Sequence, residues 1–384
     1  MGVFITFGLI IAVQILMFHF YRISGLLTGV LFGVIFGPMS LKLLGCQSIN
    51  YMDSLMTISI FMLVFYLSLT KPGGEFVKRY VMQYKFIALP TILTMLVVYL
   101  VNVLYFENFA PEIGIILVLA FGIVSVSVNS IAMRYLKEQG QLKENVCKLF
   151  LAKALPNNFF IIAVFVTLIS FYGYGDHSFI GFSIATGKTV LFLFIALAIS
   201  RYVYPRIARF VKGDISILLL LLANALTLSG IAYLMEIHYI IAIFSSTLLI
   251  PEVHLKFATV EPIRKKVGIL NGYLFVPIFG LAVGLNIDLG ILFDYSLFIP
   301  FVILTITIWV AQYLFSLLTL RFDGIEKNDT KFITYGSFAK TELALIILLF
   351  SVSYGIIDPE IFTASVIVLA MSNLFAWHEL HKRG

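Results

Sequence analysis

Polar side chains interrupt an apolar stretch, residues 149–170, that is long enough to cross a membrane. The stretch reads LFLAKALPNNFFIIAVFVTLIS and contains Lys153, Pro156, Asn157 and Asn158. Polar groups inside a bilayer are costly, and they usually line a bundle interior or a water-filled path. Pro156 also removes a backbone hydrogen bond beside the asparagine pair. Two interpretations remain open: the pair forms the floor of a transport site, or it is a polar contact between packed helices.

Three other apolar segments carry polar residues at a similar depth. Depth is counted from the basic loop at one end of each segment, with a rise of about 1.5 Å per residue. Convergence of polar groups near mid-bilayer is typical of a binding site in a transporter built from repeats. The residues that converge are Asn157 and Asn158, Ser127 and Asn129, Gln312, and Lys340.

Lys340 and Glu342 are opposite charges that lie close together inside the segment YGSFAKTELALII. Either they form an internal salt bridge, or Glu342 is a titrating ion carrier. Buried charges usually persist when they are paired, which favours the salt bridge. Lys153 lies near a span end, where a lysine can reach the membrane surface. It also shares a helical face with Asn157, so we expect it to border the inner vestibule of the site.

The composition predicts which elements position these residues. Hydrophobic residues make up 61% of the 384 residues and charged residues 12%, whereas soluble domains are about 45–50% apolar and about 25% charged. We therefore predict an all-α polytopic membrane protein, with residues 1–384 as a single integral membrane transporter domain and no soluble regulatory domain. About 20 apolar residues cross the hydrocarbon core. Thirteen segments qualify: 3–20, 24–41, 55–70, 86–105, 113–133, 149–170, 183–200, 215–235, 238–250, 268–287, 296–320, 332–354 and 362–377.

Two features predict how these segments pack. Gly29, Gly33 and Gly37 are spaced four residues apart in the second segment, and small residues so spaced let helices approach closely. Segments five and twelve contain the polar sequences SVSVNS and YGSFAKT, whose side chains compete for backbone hydrogen bonds. Discontinuous helices at corresponding places indicate inverted repeats. We therefore expect segments five–six and twelve–thirteen to form such a pair, with the two discontinuous helices crossing near mid-membrane.

Loop charges predict the orientation. Of the 26 Lys and Arg residues, 22 fall in one set of alternate loops, and Lys42 falls in the other set. Cytoplasmic loops are rich in Lys and Arg, so we expect the N-terminus outside and the C-terminus in the cytoplasm, in the plasma or inner membrane. The basic connector 251–266 is expected to lie along the inner membrane surface. Because the charge is loop charge, the net +6 does not indicate nucleic acid.

Nothing in the sequence indicates an enzyme, a cofactor or a metal site. The six His residues are scattered, and the sequence places no cluster of His, Cys and acidic residues at ligand spacing. We expect none of the three.

Four sequences, in chain order, resemble motifs of the Na+/H+ exchanger superfamily, specifically the monovalent cation:proton antiporter-2 branch with its Kef-type relatives. ISGLLTGVLFGVIFGPMSL is similar to the Gly-rich opening of the first repeat, and SVSVNSIAMRYLKEQGQ resembles the broken helix with its exit. LFVPIFGLAVGLNIDL resembles the Pro-x-Phe-Phe segment, and AKTELALII resembles the Arg-Gly-Glu helix, with Lys340 in the Arg position and Glu342 retained. The resemblance implies a dimer-forming scaffold, a moving six-helix core, and exchange of Na+ or K+ for H+ by a homodimer.

The chain departs from these family motifs at three positions, and each departure removes charge. Asn157–Asn158 stand where antiporters carry one or two Asp, Ser127-Val128-Asn129 stands where the broken helix usually reads Thr-Asp-Pro or Thr-Ser-Pro, and Gln312 replaces a Lys of many electrogenic members. An amide oxygen can coordinate Na+ or K+ but cannot exchange a proton. If protons are coupled, Glu342 is the mid-membrane carboxylate that remains. Three functions stay open: an altered cation transporter, a transport-inactive sensor or partner-binding protein, and a carrier of an anion or organic solute.

Overall fold

The computed structural model describes residues 25–37, 46–69, 161–172, 179–211, 213–250, 257–288, 295–322, 334–335 and 342–381, with single positions 8, 12, 13, 93, 96, 97, 100 and 290. Every regular element in these ranges is helical, which confirms the predicted all-α class. In chain order the helices are α1 Gly25–Phe36, α2 Cys46–Leu69, α3 Ile161–Tyr172, α4 Phe179–Ala198, α5 Tyr204–Ala208, α6 Asp214–Leu234, α7 Tyr239–Leu248, α8 Phe257–Leu270, α9 Val276–Leu285, α10 Tyr295–Phe322, α11 Glu342–Ser353 and α12 Pro359–His381.

Several predicted segments coincide with these helices, and two are longer than predicted. Segments 215–235, 238–250 and 296–320 correspond to α6, α7 and α10 within about two residues. Segment 183–200 was predicted too short, because its helix continues to Ala208. Segment 268–287 was also predicted too short at its start, because helix α8 begins at Phe257, within the basic connector 251–266. Lys and Arg are good helix formers, so a basic sequence next to a span can extend the helix.

Three helices in the described ranges are long and apolar enough to cross a membrane, and two of these helices each contain a π-turn. These helices are Ile180–Ala208, Asp214–Leu234 and Pro262–Leu285. The first contains the π-turn Ile199–Val203 and the last contains the π-turn Asn271–Phe275.

Each π-turn lies directly before a residue that precedes proline. Proline has no N–H, and its ring clashes with the carbonyl four residues earlier in an α-helix. The N–H of Tyr204, before Pro205, bonds to the carbonyl of Ile199, five residues back. The N–H of Val276, before Pro277, bonds to the carbonyl of Asn271 in the same way. The wider turn therefore accommodates the proline while the helix continues.

The chain separates into two compact units. The first comprises residues 1–71 and 162–287, and the second comprises residues 72–161 and 288–384. In the first unit α1 packs along α9, and α7 lies between α2 and α6. In the second unit α12 contacts both α10 and α11.

Helix α7 is the buried centre of the first unit. It is 10 residues long, or about 15 Å, and residues 240–247 are all buried. A helix that is apolar on every side is expected to be surrounded by protein. The amide Nδ2 of Asn224 on α6 donates to the carbonyl of Ser246, 2.6 Å away, and the His238 ring caps the first turn by accepting from the Ile240 N–H.

Helices α1 and α9 touch through their backbones at glycine positions. Gly29 and Gly33 of α1 face Gly280 and Gly284 of α9. A Cβ atom added to Gly33 would lie 2.6 Å from the Cα of Gly284, and one added to Gly280 would lie 2.5 Å from the carbonyl oxygen of Leu26. This arrangement confirms the close helix packing predicted from the four-residue spacing.

We expect Gly33→Ala to lower the melting temperature of the detergent-solubilised protein, because the new methyl group would meet backbone that cannot rotate away. Overpacking of this kind costs about 1–3 kcal/mol, occasionally more. Gly187→Ala on α4 is the matched control, since nothing lies within 4 Å of its Cβ position. Alanine is favoured over glycine inside a helix by about 0.5–1 kcal/mol, so the control should keep or raise the melting temperature. Equal melting temperatures of the two variants would contradict the backbone contact.

Candidate functional site

The predicted site residues fall mainly outside the described ranges. Asn157, Asn158, Ser127, Asn129, Lys153 and Lys340 are not among the described residues, so their arrangement stays a prediction. Gln312 lies on α10, and Glu342 is the first residue of α11. All eight positions fall within the sequence ranges of the second unit.

Glu342 lies at the N-terminal end of an apolar helix. It is half-buried, and the nine residues that follow it, 343–351, are all buried. A carboxylate is stabilised in the first turn of a helix, because the backbone N–H groups there have no intrahelical acceptor. Helix α11 has 12 residues, so it is about 18 Å long. The chain turns at residues 354–358, and if that turn lies at the membrane surface, Glu342 lies near the middle of the hydrocarbon core.

Three buried hydroxyl groups on α12 were not selected from the sequence. Thr363, Ser365 and Ser372 are fully buried. Thr363 Oγ1 accepts from the backbone N–H of Asp288, 2.9 Å away, and Ser372 Oγ accepts from the indole N–H of Trp309 on α10, also at 2.9 Å. The available signal was the group of hydroxyl residues in the apolar sequence FTASVIVLAMSN.

Ser365 differs from the other described hydroxyls of this unit. Hydroxyls inside helices commonly donate to the carbonyl four residues earlier, as Ser351 and Ser353 do here. Ser365 Oγ is buried and, within the described residues, has no hydrogen-bond partner. A free hydroxyl oxygen at a buried position can act as a ligand for a cation or for water.

Four aromatic side chains gather around the Trp309–Ser372 hydrogen bond, and we call them the aromatic cluster: Trp309, Tyr313, Tyr335 and Phe375. The Trp309 ring stacks on Phe375 with centroids 5.6 Å apart. Tyr335 contacts Tyr313 at 5.7 Å and Phe375 at 6.4 Å. The cluster therefore connects α10, residues 334–335 and α12.

In the part of the chain that the structure describes, no three His, Cys, Asp or Glu residues are grouped so that they could hold a metal ion. The described polar groups discussed above are the hydroxyls of α12 and the carboxylate of Glu342 at the start of α11. Oxygen ligands of this kind suit monovalent cations and water.

The fold and this site define a polytopic all-α membrane protein. The model of the family described as "Sodium/hydrogen exchanger, transmembrane" matches residues 4–377. The chain therefore belongs to the sodium/hydrogen exchanger family.

Individual proteins show the same relationship. The chain is 21% identical over 260 residues to the Na+/H+ antiporter of Enterococcus hirae. This aligned region covers 67% of this chain and 66% of that protein. The chain is 24% identical over 248 residues to the Na+/H+-K+ antiporter GerN of Bacillus cereus, covering 64% and 62%. The matches thus span slightly less than two thirds of either relative.

A solved structure shares the fold. The sodium proton antiporter MjNhaP1 from Methanocaldococcus jannaschii superposes with a TM-score of 0.68 and 15% sequence identity. The superposition covers 99% of this chain and 97% of that chain.

The hydroxyls of α12 give a stability prediction. Ser365→Ala should leave the melting temperature unchanged or slightly raised, because the hydroxyl that it removes makes no hydrogen bond to any described residue. Thr363→Val keeps the side-chain shape but leaves the N–H of Asp288 without its acceptor, which costs about 1–3 kcal/mol. Thermal unfolding of both variants in one detergent checks the difference. A larger loss for Ser365→Ala than for Thr363→Val would show that the Ser365 hydroxyl is bonded.

Proposed function

We propose that this protein is a secondary transporter that exchanges a monovalent cation, Na+ or K+, for protons. Membership of the sodium/hydrogen exchanger family over residues 4–377 is the observation that carries the proposal. The names of the two curated relatives, one an Na+/H+ antiporter and the other an Na+/H+-K+ antiporter, support the same class of cation.

The proposed cation site is uncharged except for one ion pair. Asn157, Asn158, Ser127, Asn129 and Gln312 would supply neutral oxygen ligands, with Lys153 at the inner vestibule. Amide and hydroxyl oxygens coordinate cations through their lone pairs but do not release protons at neutral pH. This site would distinguish the protein from Kef-type relatives that carry Asp at the position of the asparagine pair.

Glu342 is the proposed proton carrier. Its place at the start of α11, in front of nine buried residues, supports this role, because a carboxylate there can hold either a proton or a cation. The competing role is a structural salt bridge with Lys340. The two roles predict different effects of the same substitution, as described below.

The setting of the protein is part of the proposal. The distribution of basic residues supports an N-terminus outside and a cytoplasmic C-terminus in the plasma or inner membrane. The expected partners are the transported ions, the lipid bilayer and a second copy of the chain in a homodimer. The homodimer rests on the family resemblance.

Flux in proteoliposomes tests the proposal. The vesicles would contain a pH dye, and inward Na+ or K+ gradients would be imposed with an ionophore to clamp the membrane potential. Wild-type protein should release protons in response to the cation. Glu342→Gln should abolish this response while the melting temperature stays close to that of the wild type.

The matched control for that substitution is Glu360→Gln, which neutralises an exposed acidic residue in the first turn of α12. Its flux should equal that of the wild type. If Glu342→Gln instead lowers the melting temperature in step with flux, the Lys340–Glu342 pair is structural. Cation flux without proton movement would indicate a uniporter. Absence of both fluxes would favour the sensor or the carrier of anions or organic solutes.

The asparagine pair can be tested by restoring an acid. Asn158→Asp should make cation binding dependent on pH, because a carboxylate binds either the cation or a proton. Over the range in which the new carboxylate titrates, affinity should fall about tenfold for each unit of decreasing pH. Isothermal titration with Na+ and K+ at several pH values measures this dependence, and Asn158→Gln is the neutral control. Identical pH profiles for Asn158→Asp and the wild type would place residue 158 outside the cation site.

A further inference from the structure

The aromatic cluster joins α10, which carries the predicted site residue Gln312, to residues 334–335 and to α12. Gln312 lies on α10, three residues after Trp309 and next to Tyr313. Glu342 follows Tyr335 by seven residues along the chain. Contacts made by the cluster therefore affect where Gln312 lies relative to the described residues that precede Glu342 in the chain.

The hydrogen bond between Trp309 and Ser372 is the directional contact in this cluster. Ring stacking between Trp309 and Phe375, at 5.6 Å and an interplanar angle of 15°, tolerates sliding of one helix along the other. The indole N–H must instead meet one oxygen, Ser372 Oγ, at 2.9 Å. Ser372 is fully buried, so water cannot easily replace that oxygen. The bond thus fixes the axial position of α12 against α10.

Tyr335 connects residues 334–335, which precede Glu342 in the chain, to the same cluster. Its ring lies between Tyr313 of α10 and Phe375 of α12, at 5.7 and 6.4 Å. The neighbouring Thr334 is fully buried. Displacement of α12 along α10 would therefore move the surface on which Tyr335 rests.

We propose that Trp309 and Ser372 are positioning residues for the cation site. Their hydrogen bond holds α10 and α12 in one axial register, and this register sets where Gln312 on α10 lies relative to Tyr335, seven residues before Glu342 in the chain. Binding constellations tolerate displacements of only about 0.5 Å, so loss of the bond weakens cation binding. The inference rests on the proposed function, since it assumes a cation site at these positions.

The test compares variants that break the bond with one that removes a hydroxyl elsewhere. Ser372→Ala removes the acceptor, and Trp309→Phe removes the donor while keeping an aromatic ring to stack on Phe375. Ser353→Ala is the matched control, because the Ser353 hydroxyl donates within its own helix, to the carbonyl of Leu349. Ser372→Thr keeps the hydroxyl and should restore wild-type behaviour.

Two readouts are measured for each variant. The first is the cation concentration that gives half-maximal proton flux. The second is the Na+ or K+ concentration that gives half of the maximal rise in melting temperature, with choline as the reference cation. We expect Ser372→Ala and Trp309→Phe each to raise both concentrations roughly three- to tenfold, the value of one hydrogen bond. The double variant should be no worse than either single variant. Ser353→Ala and Ser372→Thr should match the wild type.

Other outcomes contradict the positioning role. Half-saturating concentrations that stay at the wild-type value, with or without a lower melting temperature, would show that the cluster only stabilises the fold or anchors the helices at the membrane interface. Effects of the two single variants that add in the double variant would show that the residues act separately. A wild-type protein with neither flux nor cation-dependent stabilisation overturns the proposed function and this inference together. Wild-type flux with unchanged variants overturns this inference alone.

Discussion

The backbone contact between α1 and α9 is the constraint on which the first unit depends. Lipid chains are as apolar as leucine, so helices inside a membrane gain little from the hydrophobic effect and associate through close packing and hydrogen bonds. At Gly29, Gly33, Gly280 and Gly284 the two backbones come close enough that no side chain fits between them. Helix α9 also contacts α2, which packs on the buried helix α7. The approach of α1 to α9 is thus set by four residues that lack side chains.

The described part of the second unit uses directional contacts at its helix junctions. The Asp288 N–H donates to the Thr363 hydroxyl, and the Trp309 indole N–H donates to the Ser372 hydroxyl. These two hydrogen bonds hold α12 at two levels along its axis. Between these levels Ser365 is buried, and its hydroxyl has no hydrogen-bond partner among the residues that the structure describes. Each of these bonds needs one relative position of donor and acceptor, so they hold the helices in the defined arrangement that the proposed cation site would require. Glu342 lies at the start of an apolar helix. In the proposed site, its carboxylate is the group that would bind and release a proton.

Sequence reasoning predicted those features that depend on local pattern. The apolar runs predicted the helices, and the four-residue spacing of Gly29 and Gly33 predicted a close crossing. Helix ends were less predictable, because α8 extends through a basic sequence that reads as a loop by composition. The Trp309–Ser372 bond joins residues 63 positions apart, and no local periodicity reports such a contact. Of the proposed site, Gln312 and Glu342 lie on helices as predicted, whereas the asparagine pair stays a prediction.

The π-turn before Pro277 imposes a constraint on chain length. An α-helix advances by about 100° for each residue, so the extra residue held in the turn sets which face of α9 meets α1. If residues 271–275 formed a regular α-helical turn without loss of a residue, every following position would rotate by about 100° around the helix axis. Gly280 and Gly284 would then no longer face the backbone of α1. Deleting one residue from the turn would compensate for this rotation, so the width of the turn and the number of residues in it must match for the glycines to meet α1.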